Sequence, residues 1–101
     1  MDIKVEELKK RMDNKENLVI IDVREPHEYS EFNIGGKNIP LGTLPVMLPE
    51  LEEFKASEII VHCRSGKRSA TAQAILQQSG FQNVRNLIGG MMEWQDKFVK
   101  K

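Results

Sequence analysis

The sequence predicts an α/β fold in which a parallel sheet is flanked by helices. Residues 18–23 and 58–63 are nearly continuous apolar runs rich in β-branched side chains, a pattern typical of strands buried on both faces of a parallel sheet. Segments with helical spacing precede, separate and follow these two runs. Strands that alternate with helices indicate a parallel sheet with right-handed crossovers.

The first third of the chain predicts two helical segments on either side of a strand. A first amphipathic helix is predicted by apolar residues spaced mainly three and four apart, namely Ile3, Val5, Leu8 and Met12. The polar residues 13–17 end it as a turn, and the strand over 18–23 follows. Residues 27–34 are then expected to form a short helical turn, because Pro26 suits a first helical position.

The middle of the chain is less regular. Residues 37–41 predict a short strand, with Pro40 marking its end or an edge position. Residues 44–54 have helical spacing, but Pro49 should interrupt or restart a helix there. Two short helices are therefore as reasonable an interpretation as one.

The last part predicts strand, helix, strand and helix. After the strand over 58–63, residues 68–79 predict a helix that Gly80 stops. Residues 84–87 form a weak strand pattern. A terminal helix is predicted by three residues that share one face, Met91, Trp94 and Phe98.

Length and composition bound the possibilities. With 101 residues, 40% hydrophobic and 30% charged, the chain suits one ordinary globular domain over 1–101 with one modest core. A single cysteine cannot form an internal disulfide, which favours a reducing compartment. The first residues lack the apolar core of a signal peptide, and no stretch approaches a membrane span. We therefore expect a cytoplasmic monomer without a membrane partner.

The zero net charge hides an asymmetry. Residues 59–92 contain no Asp or Glu but four Lys and Arg residues, so this stretch carries +4 and the remainder −4. A locally positive surface on a neutral protein favours a small anionic substrate. Nucleic-acid binding would be expected to show a wider basic face with interleaved aromatic residues, so no nucleic-acid partner is predicted.

The most informative stretch surrounds the only cysteine. Cys63 lies where a predicted strand passes into a helix, with Gly66 in the turn and cations at Arg64, Lys67 and Arg68. Unpaired N–H groups and the partial positive charge of a helix N-terminus, together with these cations, would lower the pKa of a thiol and activate it as a nucleophile. The same cradle would bind an anion. The sequence therefore predicts a thiolate nucleophile and an anion site at one place.

Other functions for this loop can be weighed. A cysteine phosphatase loop has five residues between its cysteine and arginine, whereas four lie between Cys63 and Arg68. The shorter loop should fit a single sulfur atom better than a tetrahedral phosphate. A zinc site needs several ligands at close spacing, and the neighbouring His62 should point to the opposite face of the strand. No metal is expected. His62 and His27 are the two histidines that could act as a base, and they are interpreted instead as one packing or capping residue and one surface residue.

Three further residues are assigned supporting roles. Asp22 ends a strand at the same edge of the sheet and would pair with Arg68 to fix it. Ser65 and Ser69 would act as helix N-caps, as hydroxyl donors to a bound sulfur species, or as both.

Taken together, the motifs resemble those of single-domain rhodaneses, which are thiosulfate-type sulfurtransferases. Four segments in the family's order carry the resemblance, which spans essentially the whole chain: Ile21-Asp22-Val23-Arg24-Glu25 with Glu28-Tyr29, Asn38-Ile39-Pro40-Leu41, Val61-His62-Cys63-Arg64-Ser65-Gly66-Lys67-Arg68-Ser69, and Leu87-Ile88-Gly89-Gly90-Met91 with Trp94. The resemblance implies a rhodanese-like fold, with a five-stranded parallel sheet flanked by helices on both faces.

The resemblance also implies a chemistry. Cys63 would accept sulfane sulfur from thiosulfate or a similar donor and carry it as a persulfide, then pass it to cyanide, a thiol or a protein acceptor. The N–H groups of residues 64–68 would surround the terminal sulfur, Arg68 would close the loop, and Arg64 and Lys67 would attract the anionic donor. Asp22 and Arg24 would support the site. No cofactor is implied.

Three rival functions stay open at this stage. The first is a small-anion phosphatase or arsenate reductase on a related scaffold. The second is a non-catalytic binding domain of the same fold, although a scaffold needs neither the cysteine nor the cations. The third is a persulfide carrier that serves a dedicated biosynthetic partner and uses thiosulfate poorly.

Overall fold

The computed structural model describes residues 2–99. In chain order its elements are β1 (Ile3–Lys4), α1 (Val5–Asp13), β2 (Val19–Asp22), α2 (Pro26–Glu31), β3 (Lys37–Asn38), a 3-10 turn (Leu41–Thr43), α3 (Leu44–Met47), a 3-10 helix (Leu48–Phe54), β4 (Glu58–His62), α4 (Lys67–Gln78), β5 (Asn83–Ile88) and α5 (Gly90–Phe98). Within this range, no helix is long and apolar enough to cross a membrane.

The five strands form one parallel sheet in the order β1-β5-β4-β2-β3. The predicted α/β class and the five-stranded parallel sheet are thereby confirmed. Its centre is β4, whose Ile59 aligns with Val19 on one side and Val84 on the other. The register places the carboxyl ends of β2 and β4 side by side, because Asp22 pairs with His62.

The start of the chain differs from the prediction. Ile3, assigned to the first helix by its spacing, belongs instead to β1 and pairs with Leu87 of β5, and α1 begins only at Val5. A strand of two residues is too short to show a period of its own. Its one apolar residue, Ile3, therefore looks like the first position of the helical pattern that follows.

Helices cover both faces of the sheet, as expected. Side chains alternate along β4, so Ile59 and Val61 enter one cluster and Ile60 enters the other. The first cluster packs α3, α4 and the 3-10 segments against the sheet, and it also contains Cys63. The second packs α1 and α5 through buried residues that include Val5, Leu8, Met91 and Trp94.

Residues 44–54 form two short helices rather than one continuous helix. Residues 44–54 form α3 and a 3-10 helix, with Pro45 and Pro49 in their first turns, where a missing N–H costs nothing. The predicted strand over 37–41 is reduced to Lys37–Asn38, which pairs with the end of β2.

Candidate functional site

The loop between β4 and α4 bends back over Cys63. Gly66 adopts a φ of +107° and caps α4 without any side-chain hydrogen bond. This left-handed conformation favours glycine, and it turns the amide of Gly66 toward the Cys63 Sγ at 3.1 Å. The amide of Ser69 approaches the same sulfur at 3.4 Å. The N-cap roles predicted for Ser65 and Ser69 are therefore wrong, because Gly66 occupies that position and Ser69 lies within the helix.

Opposing effects set the pKa of Cys63. Its side chain is buried, with 1% of the residue exposed, and burial alone would raise the pKa of the thiol. Hydrogen bonds from the hydroxyl and amide of Ser69 and from the amides of Gly66 and Ser65 outweigh it and lower the pKa below its ordinary value. The sulfur is thus surrounded by donors that stabilise a thiolate.

Asn86, on β5, binds two of the residues that donate to the sulfur, and the sequence pattern did not single it out. The Oγ of Ser69 lies 3.4 Å from the Cys63 Sγ and 2.6 Å from the Oδ1 of Asn86, on β5. The Nδ2 of the same Asn86 donates to the carbonyl of Gly66 at 3.1 Å. This second bond fixes which amide atom faces the hydroxyl. Since a hydroxyl has one proton, Ser69 can donate to the thiolate or to Asn86, but not to both at once.

The predicted ion pair between Asp22 and Arg68 is wrong. Arg68 instead forms a two-pronged pair with Glu28 of α2, at 2.7 and 3.0 Å. This pair lowers the pKa of Glu28 to about 2. Asp22 is fully buried and pairs with Arg24, whose Nη2 lies 2.8 Å from its Oδ2. Arg24 is the closer partner because it lies only two residues beyond Asp22, the last residue of β2, so their side chains meet without a long-range contact.

Asp22 and Arg24 form a buried ion pair at the carboxyl edge of β2. Arg24 also donates to the carbonyl of Phe32, just after α2. Asn38 donates to the carbonyls of both Asp22 and Arg24 at 3.1 and 3.0 Å. The charged pair is thereby held by neighbouring backbone and contributes rigidity at the carboxyl edge of β2.

His62 does not join the cysteine. Its ring is fully buried on the opposite face of β4, as the alternation of the strand predicts. Neither ring nitrogen has a hydrogen-bond partner, although Nε2 lies 3.8 Å from the Oδ2 of Asp22. Burial lowers the pKa of His62 to about 4, and the carboxylate of Asp22 only partly opposes this effect. The imidazole is therefore neutral at pH 7.

The start of α5 closes the loop from the other side. The amide of Met91 donates to the carbonyl of Cys63 at 3.0 Å, and the amide of Met92 donates to that of Arg64 at 2.9 Å. This approach needs Gly90, because a Cβ there would lie 2.5 Å from the carbonyl oxygen of Arg64. Gly90, the first residue of α5, is thus part of the cysteine site.

Two of the three predicted cations remain available to a ligand. Arg64 and Lys67 are exposed, and neither forms an ion pair within residues 2–99. In the same part of the chain, no group of three or more His, Cys, Asp or Glu side chains could hold a metal ion. The site therefore combines a sulfur nucleophile, inward amides and two free positive charges, which suits nucleophilic attack on a small anion.

Fold and site together define a parallel α/β domain with a donor-surrounded cysteine at the carboxyl edge of its central strand. Residues 4–97 match the family model described as the Rhodanese-like domain. The chain belongs to this family of sulfurtransferase-related domains.

Named relatives are consistent with this assignment. The chain is 37% identical over 110 residues to a Schizosaccharomyces pombe protein described as a candidate mitochondrial thiosulfate sulfurtransferase, covering 97% of this chain and 78% of that protein. It is 33% identical over 94 residues to a sulfurtransferase of Allochromatium vinosum, covering 92% of this chain and 86% of the relative. A Bacillus subtilis protein described as a candidate sulfur carrier is 39% identical over 97 residues, covering 95% of this chain but only 51% of its own length.

A solved structure shows the same fold. The crystal structure of the rhodanese-like domain protein of Staphylococcus aureus superposes with a TM-score of 0.83 at 31% identity, covering 99% of this chain and 97% of that chain. The relatives support sulfur transfer as the general activity, and they leave the particular donor and acceptor open.

Proposed function

We propose that the protein moves sulfane sulfur from thiosulfate or a similar anionic donor to a thiophilic acceptor through a persulfide on Cys63. The observation that carries the proposal is the set of hydrogen-bond donors around the Cys63 sulfur, with the Gly66 amide at 3.1 Å and the Ser69 amide at 3.4 Å. Such donors stabilise a sulfur anion both before and after transfer.

In the first half-reaction, the Cys63 thiolate attacks the outer sulfur of thiosulfate. A bond forms between the two sulfur atoms, the sulfur–sulfur bond of the donor breaks, and sulfite leaves with the electron pair. Arg64 and Lys67 attract the dianion and stabilise the departing sulfite. The product is a Cys63 persulfide whose outer sulfur lies among the loop amides.

In the second half-reaction, a nucleophile such as cyanide or a thiolate attacks the outer sulfur. The sulfur–sulfur bond of the persulfide breaks, and Cys63 leaves as a thiolate. Arg68 forms an ion pair with Glu28, so its charge stays beside the loop. Arg68 is therefore expected to close the loop rather than to bind the substrate. Asp22, Arg24, Ser65 and Ser69 are expected to keep the loop and its donors in place.

Intact mass spectrometry tests the proposal. Incubation with thiosulfate should add about 32 Da, one sulfur atom, to the wild type, and cyanide should remove it. Cys63→Ser should fold normally, gain no mass and show no sulfur transfer. Retained transfer by this variant would refute the role of Cys63.

Other outcomes distinguish the rivals. A reactive Cys63 that is loaded by a persulfide donor but not by thiosulfate would identify a dedicated persulfide carrier, a function that the likeness to the B. subtilis relative also supports. Hydrolysis of a phosphate ester that disappears in Cys63→Ser would identify a phosphatase. An unreactive cysteine would favour a binding domain.

The two free cations provide a second test. Arg64→Ala and Lys67→Ala should each raise the KM for thiosulfate about fivefold, since one charge near a surface site contributes roughly 1 kcal/mol. The salt dependence of the KM should weaken in both variants. Lys10→Ala removes an exposed cation of α1 and is the matched control. Equal effects of all three substitutions would show that only net charge matters.

The cytoplasmic location and the monomeric state remain predictions from the sequence. Fractionation of cells and light scattering of the purified protein would test them.

A further inference from the structure

Asn86 acts on the reacting sulfur only through two residues that donate to it. Its Oδ1 accepts a hydrogen bond from the Ser69 hydroxyl at 2.6 Å, and its Nδ2 donates to the carbonyl of Gly66 at 3.1 Å. Ser69 is fully buried and Asn86 is 8% exposed. Within residues 2–99, the Ser69 hydroxyl is the only donor to this amide oxygen.

The thiolate and Asn86 compete for the one proton of the Ser69 hydroxyl. When Cys63 is a thiolate, the negative charge on Sγ, 3.4 Å from the Oγ of Ser69, attracts that proton. The Oδ1 of Asn86 then loses its donor, and a buried acceptor without a donor costs free energy. Asn86 therefore makes the free thiolate less stable than it would be in the same loop without a second acceptor.

Sulfur loading moves the negative charge away from Sγ. As the Cys63 thiolate attacks the outer sulfur of thiosulfate, a new sulfur–sulfur bond forms, the bond of the donor breaks, and sulfite leaves with its electron pair. The persulfide then carries the charge on its outer sulfur, and Sγ becomes a neutral and weak acceptor. The Ser69 hydroxyl can return to Asn86, so the amide oxygen is paired again.

We propose that Asn86 is a positioning residue for sulfur loading, whose Oδ1 takes over the Ser69 hydroxyl when the charge leaves Sγ, and which thereby favours the persulfide over the free thiolate. This proposal rests on the proposed function. Asn86 works through the orientation of a hydroxyl group, and the Ser69 proton stays on its oxygen throughout.

The pH dependence of Cys63 alkylation tests the competition in the free protein. Asn86→Leu removes the second acceptor and should lower the pH midpoint by about 0.7 unit, roughly a fivefold change in the acid dissociation constant, relative to its effect in a Ser69→Ala background. If Asn86 only held the loop through Gly66, its loss would shift the midpoint equally in both backgrounds. The comparison of the two backgrounds is therefore a double-mutant cycle for the bond between Ser69 and Asn86.

The charged groups around the loop are the same in every variant of this cycle, so their effects on the midpoint cancel. They are the three cations of the loop, Glu28 of α2, the Asp22–Arg24 pair of β2 and Glu93 of α5.

The loading equilibrium tests the second half of the proposal. At a pH above the alkylation midpoint, the protein is equilibrated with mixtures of thiosulfate and sulfite, and the loaded fraction is measured by intact mass. Asn86→Leu should reach half-loading at a sulfite-to-thiosulfate ratio about fivefold lower than wild type, because the thiolate gains stability relative to the persulfide. In the Ser69→Ala background the same substitution should leave this ratio unchanged.

Asn83→Leu replaces an exposed amide of the same strand and is the matched control, expected to behave as wild type in both measurements. If circular dichroism shows that Asn86→Leu does not fold, Asn86→Ala removes the same amide without adding bulk. Equal midpoint shifts in the two backgrounds, or an unchanged half-loading ratio in a protein that loads normally, would overturn the role of Asn86 alone. A wild type that takes up no sulfur would overturn the proposed function and this proposal with it.

Discussion

The buried imidazole of His62 should make the folded state sensitive to mild acid. Its pKa is lowered from 6.5 to about 4, chiefly by burial, with Arg24 lowering it further and Asp22 opposing the shift. The unfolded chain therefore binds a proton near pH 6.5 that the folded chain does not bind until about pH 4. Stability is fully present above pH 6.5 and is lost as the pH falls toward 4, by about 3 kcal/mol at roughly 1.4 kcal/mol per pKa unit.

The perturbation is His62→Leu, which removes the titration without breaking a hydrogen bond, because both ring nitrogens are unpaired. Urea unfolding followed by circular dichroism should be measured at half-unit steps between pH 7.5 and 4. The free energy of unfolding should fall by about 3 kcal/mol over this range in the wild type and far less in the variant. At pH 7 the variant should be about as stable as the wild type, since two buried unsatisfied nitrogens disappear with the ring.

The loss of stability caused by protonation of His62 falls in a different pH range from the loss caused by protonation of the carboxylates. Glu28 and Glu58 have pKa values lowered to about 2, so their contributions are lost only as the pH falls below 4.5. His27 is exposed, so His27→Gln is the control that removes a histidine from the surface rather than from the interior. An unchanged slope between pH 6.5 and 4 in His62→Leu would refute the assignment of the effect to His62.

Two further substitutions test the cysteine loop. Ser69→Ala should move the pH midpoint of Cys63 alkylation upward, because the sulfur loses a hydroxyl donor. The free energy of unfolding should fall by about 1–3 kcal/mol, because the Oδ1 of Asn86 is left without its donor. A midpoint equal to that of Ser65→Ala would argue against this role. Gly90→Ala should cost more than about 3 kcal/mol and abolish sulfur transfer, because its Cβ would overlap backbone carbonyls. Gly35→Ala has a similar positive φ but open space around it, so chemical denaturation should show only about 1–2 kcal/mol for the control, and equal losses in the two variants would refute the steric argument.

The sequence predicted the features that depend on local pattern. The apolar runs identified β2 and β4, and the cysteine loop was recognisable because its residues are contiguous. The alternation of a strand was enough to separate His62 from Cys63. For residues 44–54 the pattern left one helix and two short helices equally open, and Pro49 only indicated where a break would fall.

What escaped prediction depends on contacts between distant residues. Asn86 shows no signal in a weak strand pattern, and its importance appears only when β5 lies beside β4 and brings it to Ser69. The partner of Arg68 was misassigned for a similar reason. Both Asp22 and Glu28 were plausible by charge, and only the position of α2 over the loop decided in favour of Glu28.

The two hydrogen bonds from the start of α5 join the cysteine loop to residues that lie much later in the chain. During synthesis, Cys63 emerges well before Met91 and Met92, whose amides hold the carbonyls of Cys63 and Arg64. Until that helix docks, the carbonyls of Cys63 and Arg64 lack these two donors. Hydrogen exchange at these two amides should therefore report how often local opening of a folded molecule breaks the two bonds between α5 and the cysteine loop.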